Sequence, residues 1–356
     1  MKINHLSIEN FRNFSRAEFG FSDKMFISGK NGTGKSSMLE SIYYFSGMKS
    51  FRQNGDSRLV QIGKESFLLG CRGEKESEPF KMGISYESGK KLVSINEERV
   101  RRNTESFGVF LAAVISGYDK QLSGSSAGIR RKFCDRIISI IDNEYLTKLI
   151  EYYSILRMRN AVLRTGGDSK QVSIYSTQMS QRSVYIYERR LEFIEYLKGA
   201  VTEVYERMFD KEVAIDIRYF SSKDGGGYTD LPLFEAHEKK KAEEYKRGRT
   251  MIGVHLDDFI ISINNMKITE IGSEGERMLL GLALKSAEIE LVYENIGEYP
   301  IVLLDDPFAE MDTQRTSKML DFFQQYPQVI FASPKTEDNI YSFEVIDLDI
   351  VKKTWE

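Results

Sequence analysis

Cysteine and histidine are too scarce in this sequence to build a metal centre. Cys71 and Cys134 form no spaced motif and the three histidines are scattered, so there is no zinc pattern, and two lone thiols point to a reducing cytoplasm. No apolar run approaches the roughly 20 residues that a membrane span needs, and residues 1–5 lead straight into a strand-like segment rather than a signal peptide. A net charge of −3 lacks the basic excess that marks many nucleic-acid binders, so any such surface must be a local patch on a mildly acidic body. Internal repeats and low-complexity tracts are missing too. What is left, 41% hydrophobic and 12% aromatic over 356 residues, is an ordinary globular composition with room for two or three domains of about 100–200 residues.

What is present is more telling. Residues 29–36 read Gly-Lys-Asn-Gly-Thr-Gly-Lys-Ser, a full G-x-x-x-x-G-K-[ST] phosphate loop. Strand-like Met25, Phe26 and Ile27 precede it, and a helical pattern through Leu39, Ile42, Tyr43 and Phe45 follows, which is the strand–loop–helix context the motif requires. Gly29, Gly32 and Gly34 free the backbone to aim N–H groups at phosphates, together with those of Lys30, Asn31, Thr33, Lys35, Ser36 and Ser37. Lys35 supplies charge to the β- and γ-phosphates, and the Ser36 hydroxyl completes a Mg2+ shell. The ligand expected is a nucleoside triphosphate.

The natural partner of this loop lies about 270 residues beyond Lys35: Ile301, Val302, Leu303 and Leu304, closed by Asp305 and Asp306. Asp305 follows four apolar residues, as a Mg2+-positioning carboxylate at the end of a buried parallel strand should, and Asp306 stands where a second acid can orient the attacking water. Pro307, Phe308, Glu310 and Asp312 extend the pattern. In a compact kinase the acidic strand follows within one domain's length. Here a second domain's worth of chain divides one nucleotide site.

That intervening chain has its own organisation. Short alternating segments over residues 66–100 read as antiparallel strands. Leu146, Leu149, Tyr153, Leu156, Asn160 and Leu163 then form a seam at spacings of three and four, and Val184, Tyr187, Leu191, Ile194, Leu197, Val201, Val204 and Met208 form a second. The break at residues 165–170 makes them an antiparallel hairpin with arms of about 30–55 Å. Strands resume near 213–217 and 259–263, with a charged helix around 239–244 between them. Residues 272–277, Gly-Ser-Glu-Gly-Glu-Arg, open an apolar helix; its N-terminus suits an anion, while Ser273 and Glu276 also match a capping box that needs no ligand. Arg130, Arg131 and Lys132 lie opposite Phe133, Ile137 and Ile141 on their helix and so face solvent or DNA.

Taken together these motifs resemble the RecF family of ABC and SMC-like ATPases, over nearly the whole chain. Residues 6–14, residues 31–42, residues 50–60 and the arm segments 130–136 and 156–163 carry the likeness, and residues 253–259 are a variant of that family's G-P-H-R-D-D-L. The resemblance implies an α/β fold: an ABC-type ATPase head, a mixed sheet with the phosphate loop built from both chain ends, and an inserted α-helical arm domain. The expected boundaries are 1–118 for the N-terminal half of the head, 119–212 for the arm and 213–356 for the C-terminal half. It implies ATP and Mg2+ as cofactors, with Lys35, Asp305 and Asp306 catalytic, Ser273 and Gly275 touching a partner's ATP and Asp312 at the dimer interface. It implies an ATP-dependent homodimer on double-stranded or gapped DNA, a weak DNA-stimulated ATPase, and cooperation with RecR and RecO to load RecA. Two departures stand out: Glu276 replaces a glutamine, and Leu256 replaces an arginine. A RecF-like ATPase with another task, such as phage defence, keeps the same motifs. A small-molecule kinase explains neither the Ser273 helix nor the arm, and ABC transporter ATPases do not insert a hairpin of this length.

Overall fold

The computed structural model describes residues 1–52, 55–124, 126–223, 227–309, 311, 313–334 and 343–351. Glu310 and the expected interface residue Asp312 lie outside the described residues. In chain order the elements begin with strands β1 (Lys2–Phe11), β2 (Phe14–Gly20) and β3 (Lys24–Ser28) and helix α1 (Lys35–Gly47). Strands β4 (Ser66–Lys75), β5 (Glu78–Glu87), β6 (Lys90–Ile95), β7 (Glu98–Arg99) and β8 (Ala112–Ser116) follow. Next come α2 (Lys120–Gly124), α3 (Ala127–Ile141), α4 (Asn143–Thr165), α5 (Ser169–Phe209), β9 (Ile215–Phe220) and α6 (Asp230–Arg247). The chain then forms β10 (Asp258–Ile263), β11 (Met266–Lys267), α7 (Ile268–Ile271) and α8 (Glu274–Ile296). It closes with β12 (Ile301–Asp305), α9 (Thr313–Phe323), β13 (Val329–Ala332), β14 (Glu344–Asp347) and α10 (Leu348–Val351).

These elements group into two compact units, residues 1–119 with 285–356 and residues 120–284. The first holds two sheets. One is antiparallel in the order β2-β1-β4-β5-β6-β7, and the other is parallel in the order β14-β3-β13-β12-β8. The inner strands β13 and β12 and the edge strand β8 are continuous apolar runs buried on both faces, whereas edge strand β14 is half exposed. Ile301, Val302, Leu303 and Leu304 are fully buried, as are Phe26 and Ile27, with Met38, Leu39 and Ile42 of α1 against them. Buried Gln328 ties the two sheets: its amide accepts from Ile3 N–H at 2.8 Å and donates to the Ile3 carbonyl at 2.8 Å and the Ser22 carbonyl at 3.1 Å.

The second unit is built on the α4–α5 hairpin. Asp142 and Asp168 cap the two helix starts, accepting from Tyr145 N–H and Lys170 N–H at 2.9 Å each. Gly166, at φ 67°, turns the chain between them. With 23 and 41 residues the arms reach about 35 and 60 Å, the second a little beyond the expected length. Residues 213–284, which the sequence pattern groups with the C-terminal half of the head, pack in this unit: β9 and α6 lie on α5, and β10 lies on α3.

Leu156, Leu163, Ile194, Leu197, Val201, Val204 and Met208 of the expected apolar seam are buried, but the hairpin's buried face is not that seam alone. Tyr153 and Leu191 are exposed, while Tyr145, Tyr152, Arg159, Arg190 and Phe193 are buried. Two arginines occupy the interior because each meets a carboxylate there. Arg190 grips Asp135 through Nε and Nη2 at 2.9 and 3.0 Å and donates to the Val254 carbonyl at 2.6 Å. Arg159 joins Glu244 at 2.6 Å, Thr250 at 2.8 Å and Ser176 at 3.1 Å. Burial alone would raise the Glu244 carboxyl; the His237 ring 3.8 Å away and the Arg159 guanidinium outweigh it and hold the group at about 2.

Arg159→Met leaves Glu244 buried without its cation and is expected to cost about 3–5 kcal/mol in urea unfolding at neutral pH. A carboxyl held at about 2 against an ordinary 4.5 stabilises the fold above pH 4.5 and loses that contribution as pH falls toward 2. The wild type should therefore lose about 3 kcal/mol over that window through this group, and the variant should lose less.

Candidate functional site

The site sits at the carboxyl ends of the parallel strands, where open α/β sheets bind ligands. The register aligns Asp305 with Ala332 and Ala332 with Ile27, so the end of β12 is level with the end of β3, just before the phosphate loop. The Ser36 hydroxyl donates to Asp305 Oδ1 at 2.7 Å, joining residues 269 positions apart. Gly29, Gly32 and Gly34 have φ of 140°, 85° and 110°. Gly34 is doubly constrained, since a Cβ there would lie 2.8 Å from both Asn13 Nδ2 and Phe14 Cζ.

Lys35 is folded onto its own loop, with Nζ donating to the carbonyls of Gly29 at 2.5 Å and Lys30 at 2.9 Å. Burial lowers its pKa, while Asp306, Asp349 and Asp305 pull the other way. Asp305 is shifted upward by burial, against the lowering hydrogen bond from Ser36. Asp306 takes a left-handed φ of 48°, rare for a residue with a side chain, and accepts from Ser333 Oγ at 3.1 Å. Expected residues Asn31, Gly32, Gly34, Lys35, Ser36, Ser37, Asp305 and Asp306 all line one cleft of about 710 Å³. Lys30 and Thr33 join the loop by backbone: Lys30 N–H donates to Asp349 Oδ2 at 3.1 Å, and Thr33 Oγ1 donates to the Lys30 carbonyl at 2.9 Å.

Several lining residues escaped sequence reasoning. Arg12, Asn13, Arg52, Arg58, Gln61 and Ile62 share the cleft. Arg12 is held by the wholly buried Glu40 through two bonds of 2.8 and 2.7 Å. Asp349, on α10, had no signal at all. Arginine clusters near a phosphate loop are a usable signal in principle, but their pairing depends on tertiary contacts invisible in a linear chain.

Ser273 and Gly275 belong to the second unit and open α8, both exposed. Glu276 turns back on its own helix: Ser273 N–H and Oγ–H donate to Glu276 Oε2 at 2.9 and 3.0 Å, and Glu276 N–H donates to Ser273 Oγ at 3.2 Å. This is a complete capping box. The Ser273 backbone and hydroxyl bonds lower the Glu276 carboxyl. The expectation that Arg130 faces solvent is overturned. Arg130 is buried and bidentate to Asp258 at 2.9 and 2.8 Å, and half-buried Arg131 donates to the Asp257 carbonyl, because the 257–258 segment covers that side of α3. Only Lys132 of the three is exposed.

Cys71 and Cys134 are buried free thiols, both pushed upward by burial. Among the described residues no cluster of three or more metal-ligating side chains occurs and no helix is long and apolar enough to cross a membrane.

Comparison with known proteins gives a consistent placement. The AAA ATPase domain family matches residues 1–265. The DNA replication and repair protein RecF of Clostridium novyi (strain NT) is 30% identical over 334 residues, covering 93% of this chain and 92% of its own. The structure of the recombination mediator protein RecF-ATPrS in the RecFOR pathway superposes with a TM-score of 0.88 at 25% identity, covering 97% of this chain and 95% of that one. An Smc head bound to the C-winged helix domain of ScpA shares the fold at a TM-score of 0.56 and 13% identity, covering 97% and 93%.

Gly34→Ala should leave the far-ultraviolet circular dichroism intact yet weaken nucleoside triphosphate binding at least about tenfold in calorimetry, because both the positive φ and the Asn13–Phe14 contact forbid a Cβ.

Proposed function

The chain belongs to the RecF family, whose relatives act in DNA replication and repair, and on that premise we propose that it is an ATP-gated DNA clamp. The observation that carries the nucleotide part is the Ser36–Asp305 hydrogen bond of 2.7 Å beside a glycine-shaped phosphate loop. In this reading the backbone N–H groups of residues 29–37 receive the phosphates of ATP. Lys35 Nζ leaves the Gly29 and Lys30 carbonyls, which are neutral acceptors, for the more strongly charged β- and γ-phosphate oxygens. The donor set of a hydroxyl and a carboxylate, already within 2.7 Å, fits Mg2+, so Ser36 and Asp305 would hold it. When bound, the ion neutralises charge developing on the transferred phosphoryl group. Asp306, held in its strained conformation by backbone and Ser333 bonds, would orient the attacking water.

The clamp part rests on α8. Ser273 and Gly275 stand exposed at its N-terminus, and a Cβ added at Gly275 would meet nothing within 4 Å in this chain. A glycine in a first helical turn that its own chain does not require suits close approach by a ligand from outside. We assign that ligand as the γ-phosphate of ATP held by a second copy, so that two subunits close over two nucleotides. Closure would grip double-stranded or gapped DNA by its backbone, slow hydrolysis would release it, and RecR and RecO would link the clamp to RecA loading. Arg130 is engaged internally, which leaves Lys132 and the half-exposed Arg131 as the DNA-contact candidates of that cluster.

Size-exclusion chromatography with light scattering is expected to show dimers with ATP for the wild type and monomers for Lys35→Met and Ser273→Arg, with gapped duplex retained only by the ATP-bound wild type. Equal dimerisation and DNA retention in both variants would sink the clamp. Glu276→Gln keeps the cap but removes its charge, and ATP-driven dimerisation should tighten about fivefold.

A further inference from the structure

The C-terminal strand returns to the phosphate loop and touches it at two consecutive residues. β14 runs parallel to β3 with Asp347 level with Ser28, so the chain leaves the sheet beside the first glycine of the loop. Leu348 is wholly buried there, its Cβ 3.5 Å from where a Cβ added at Gly29 would stand, and Asp349 Oδ2 accepts from Lys30 N–H at 3.1 Å. Asp347 sets the approach, because its Oδ1 accepts from Asp349 N–H at 2.8 Å. Among the described residues β14 is an edge strand paired with β3 alone, and its Glu344 and Val345 are exposed. A strand held on one side opens more readily than the strands inside a sheet.

The bond to Asp349 also reaches Lys35. Lys30 N–H and the Gly29 carbonyl are the two ends of one peptide unit, and that carbonyl accepts from Lys35 Nζ at 2.5 Å. A carboxylate at the N–H end and an ammonium at the carbonyl end polarise the peptide in the same sense, so each bond strengthens the other. The charge of Asp349 acts on Lys35 directly as well, ranking between Asp306 and Asp305 among the carboxylates that favour its ammonium. Asp305 and Asp306 close β12 beside Ser36, where the ion and the water are assigned, whereas Asp349 stands on the other side of the loop. A triphosphate has to draw Lys35 Nζ out of this arrangement. In doing so it brings negative charge toward a carboxylate that has just lost its cation.

We propose that Asp349 is a latch on the phosphate loop: through the 29–30 peptide it holds Lys35 in the withdrawn position, and nucleotide binding releases the end of the C-terminal strand. The latch rests on the nucleotide reading of the cleft, and it makes Asp349 a positioning residue that opposes binding. Coupling between two sites is reciprocal, so the factor by which Asp349 weakens the triphosphate is the factor by which the triphosphate weakens the docking of residues 347–349. Calorimetry with ATP and Mg2+ on the wild type and Asp349→Asn tests it, together with hydrogen-exchange mass spectrometry of residues 344–349. Asparagine keeps an acceptor for Lys30 N–H and removes only the charge, and the side chain is half-buried, so folding is not at stake. The variant should bind ATP about fivefold more tightly. A carboxylate that merely braced the loop would leave affinity unchanged or lower when neutralised. In the wild type ATP should speed exchange at residues 344–349, and in Asp349→Asn it should add little. Unchanged or weaker ATP binding by the variant, or exchange at 344–349 unchanged or slowed by ATP in the wild type, would overturn the latch alone. Failure of the wild type to bind ATP would overturn the nucleotide reading and the latch with it.

Discussion

The parallel pairing of β3 with β13 and of β13 with β12 is the constraint on which the rest depends. It sets Ile27, Ala332 and Asp305 in one row, and only that row lets Ser36 reach a carboxylate 269 positions away. Its driving force is apolar: β3, β12 and β13 are buried along their length and carry no polar side chain before their carboxyl ends except Lys24, with buried Gln328 just before β13. Closing so long a loop costs little more than closing a shorter one, because the entropy grows only with the logarithm of length. The condition is that the intervening chain folds on its own account. Residues 120–284 form a compact unit of their own, which meets that condition if it folds independently.

That second unit is specified by buried charge as much as by hydrocarbon. Asp257 is wholly buried and accepts from Tyr219 and Tyr228 hydroxyls at 2.5 Å each and from Ser222 N–H at 2.7 Å, while Tyr152 and His255 meet at 2.7 Å. Burial drives the His255 ring down to about 3, so it is neutral and available to share one proton with the Tyr152 hydroxyl. Residues 253–259 therefore act from the interior: they supply Val254, Asp257 and Asp258 as acceptors for Arg190, two tyrosines and Arg130. Leu256, 44% exposed, is the member of that segment turned outward, and it is where the family's arginine would stand. Such a network adds little net stability over an apolar core, but each unpaired member would be costly, so it fixes one arrangement of α3, α4, α5 and β10.

This explains what the sequence could and could not disclose. The phosphate loop and the acidic strand were legible because each is a local pattern with one chemical use. The hairpin was legible from its spacing and its glycine turn, and so was the apolar part of its inner face, but its charged part was not, since Arg159 and Arg190 read as surface residues until Glu244 and Asp135 are seen beside them. The same blindness affected Arg130, whose carboxylate partner lies 128 positions away. Arg12, Arg58, Ile62 and Asp349 were invisible as site residues because the 10–12 and 59–61 pairing and the return of the C-terminal strand bring them there. The capping box was written plainly in Ser273 and Glu276, yet periodicity alone could not say whether the carboxylate would cap or project.

It caps, and magnitudes then decide what Glu276 does to the proposed closing step. The carboxylate occupies the Ser273 N–H and hydroxyl, the same donors that a partner's phosphate would need. A capping interaction contributes about 0.5–2 kcal/mol, whereas hydrogen bonds to a charged phosphate contribute about 1.5–3 kcal/mol each. Two such bonds outweigh one cap, so a partner's phosphate would displace the carboxylate rather than be excluded by it. The displaced group stays nearby, and its repulsion at about 4 Å in water is on the order of 1 kcal/mol. In the proposed clamp Glu276 would thus set a threshold for closure without forbidding it. A glutamine could cap the helix equally well, so the charge itself is what would distinguish the proposed closing step.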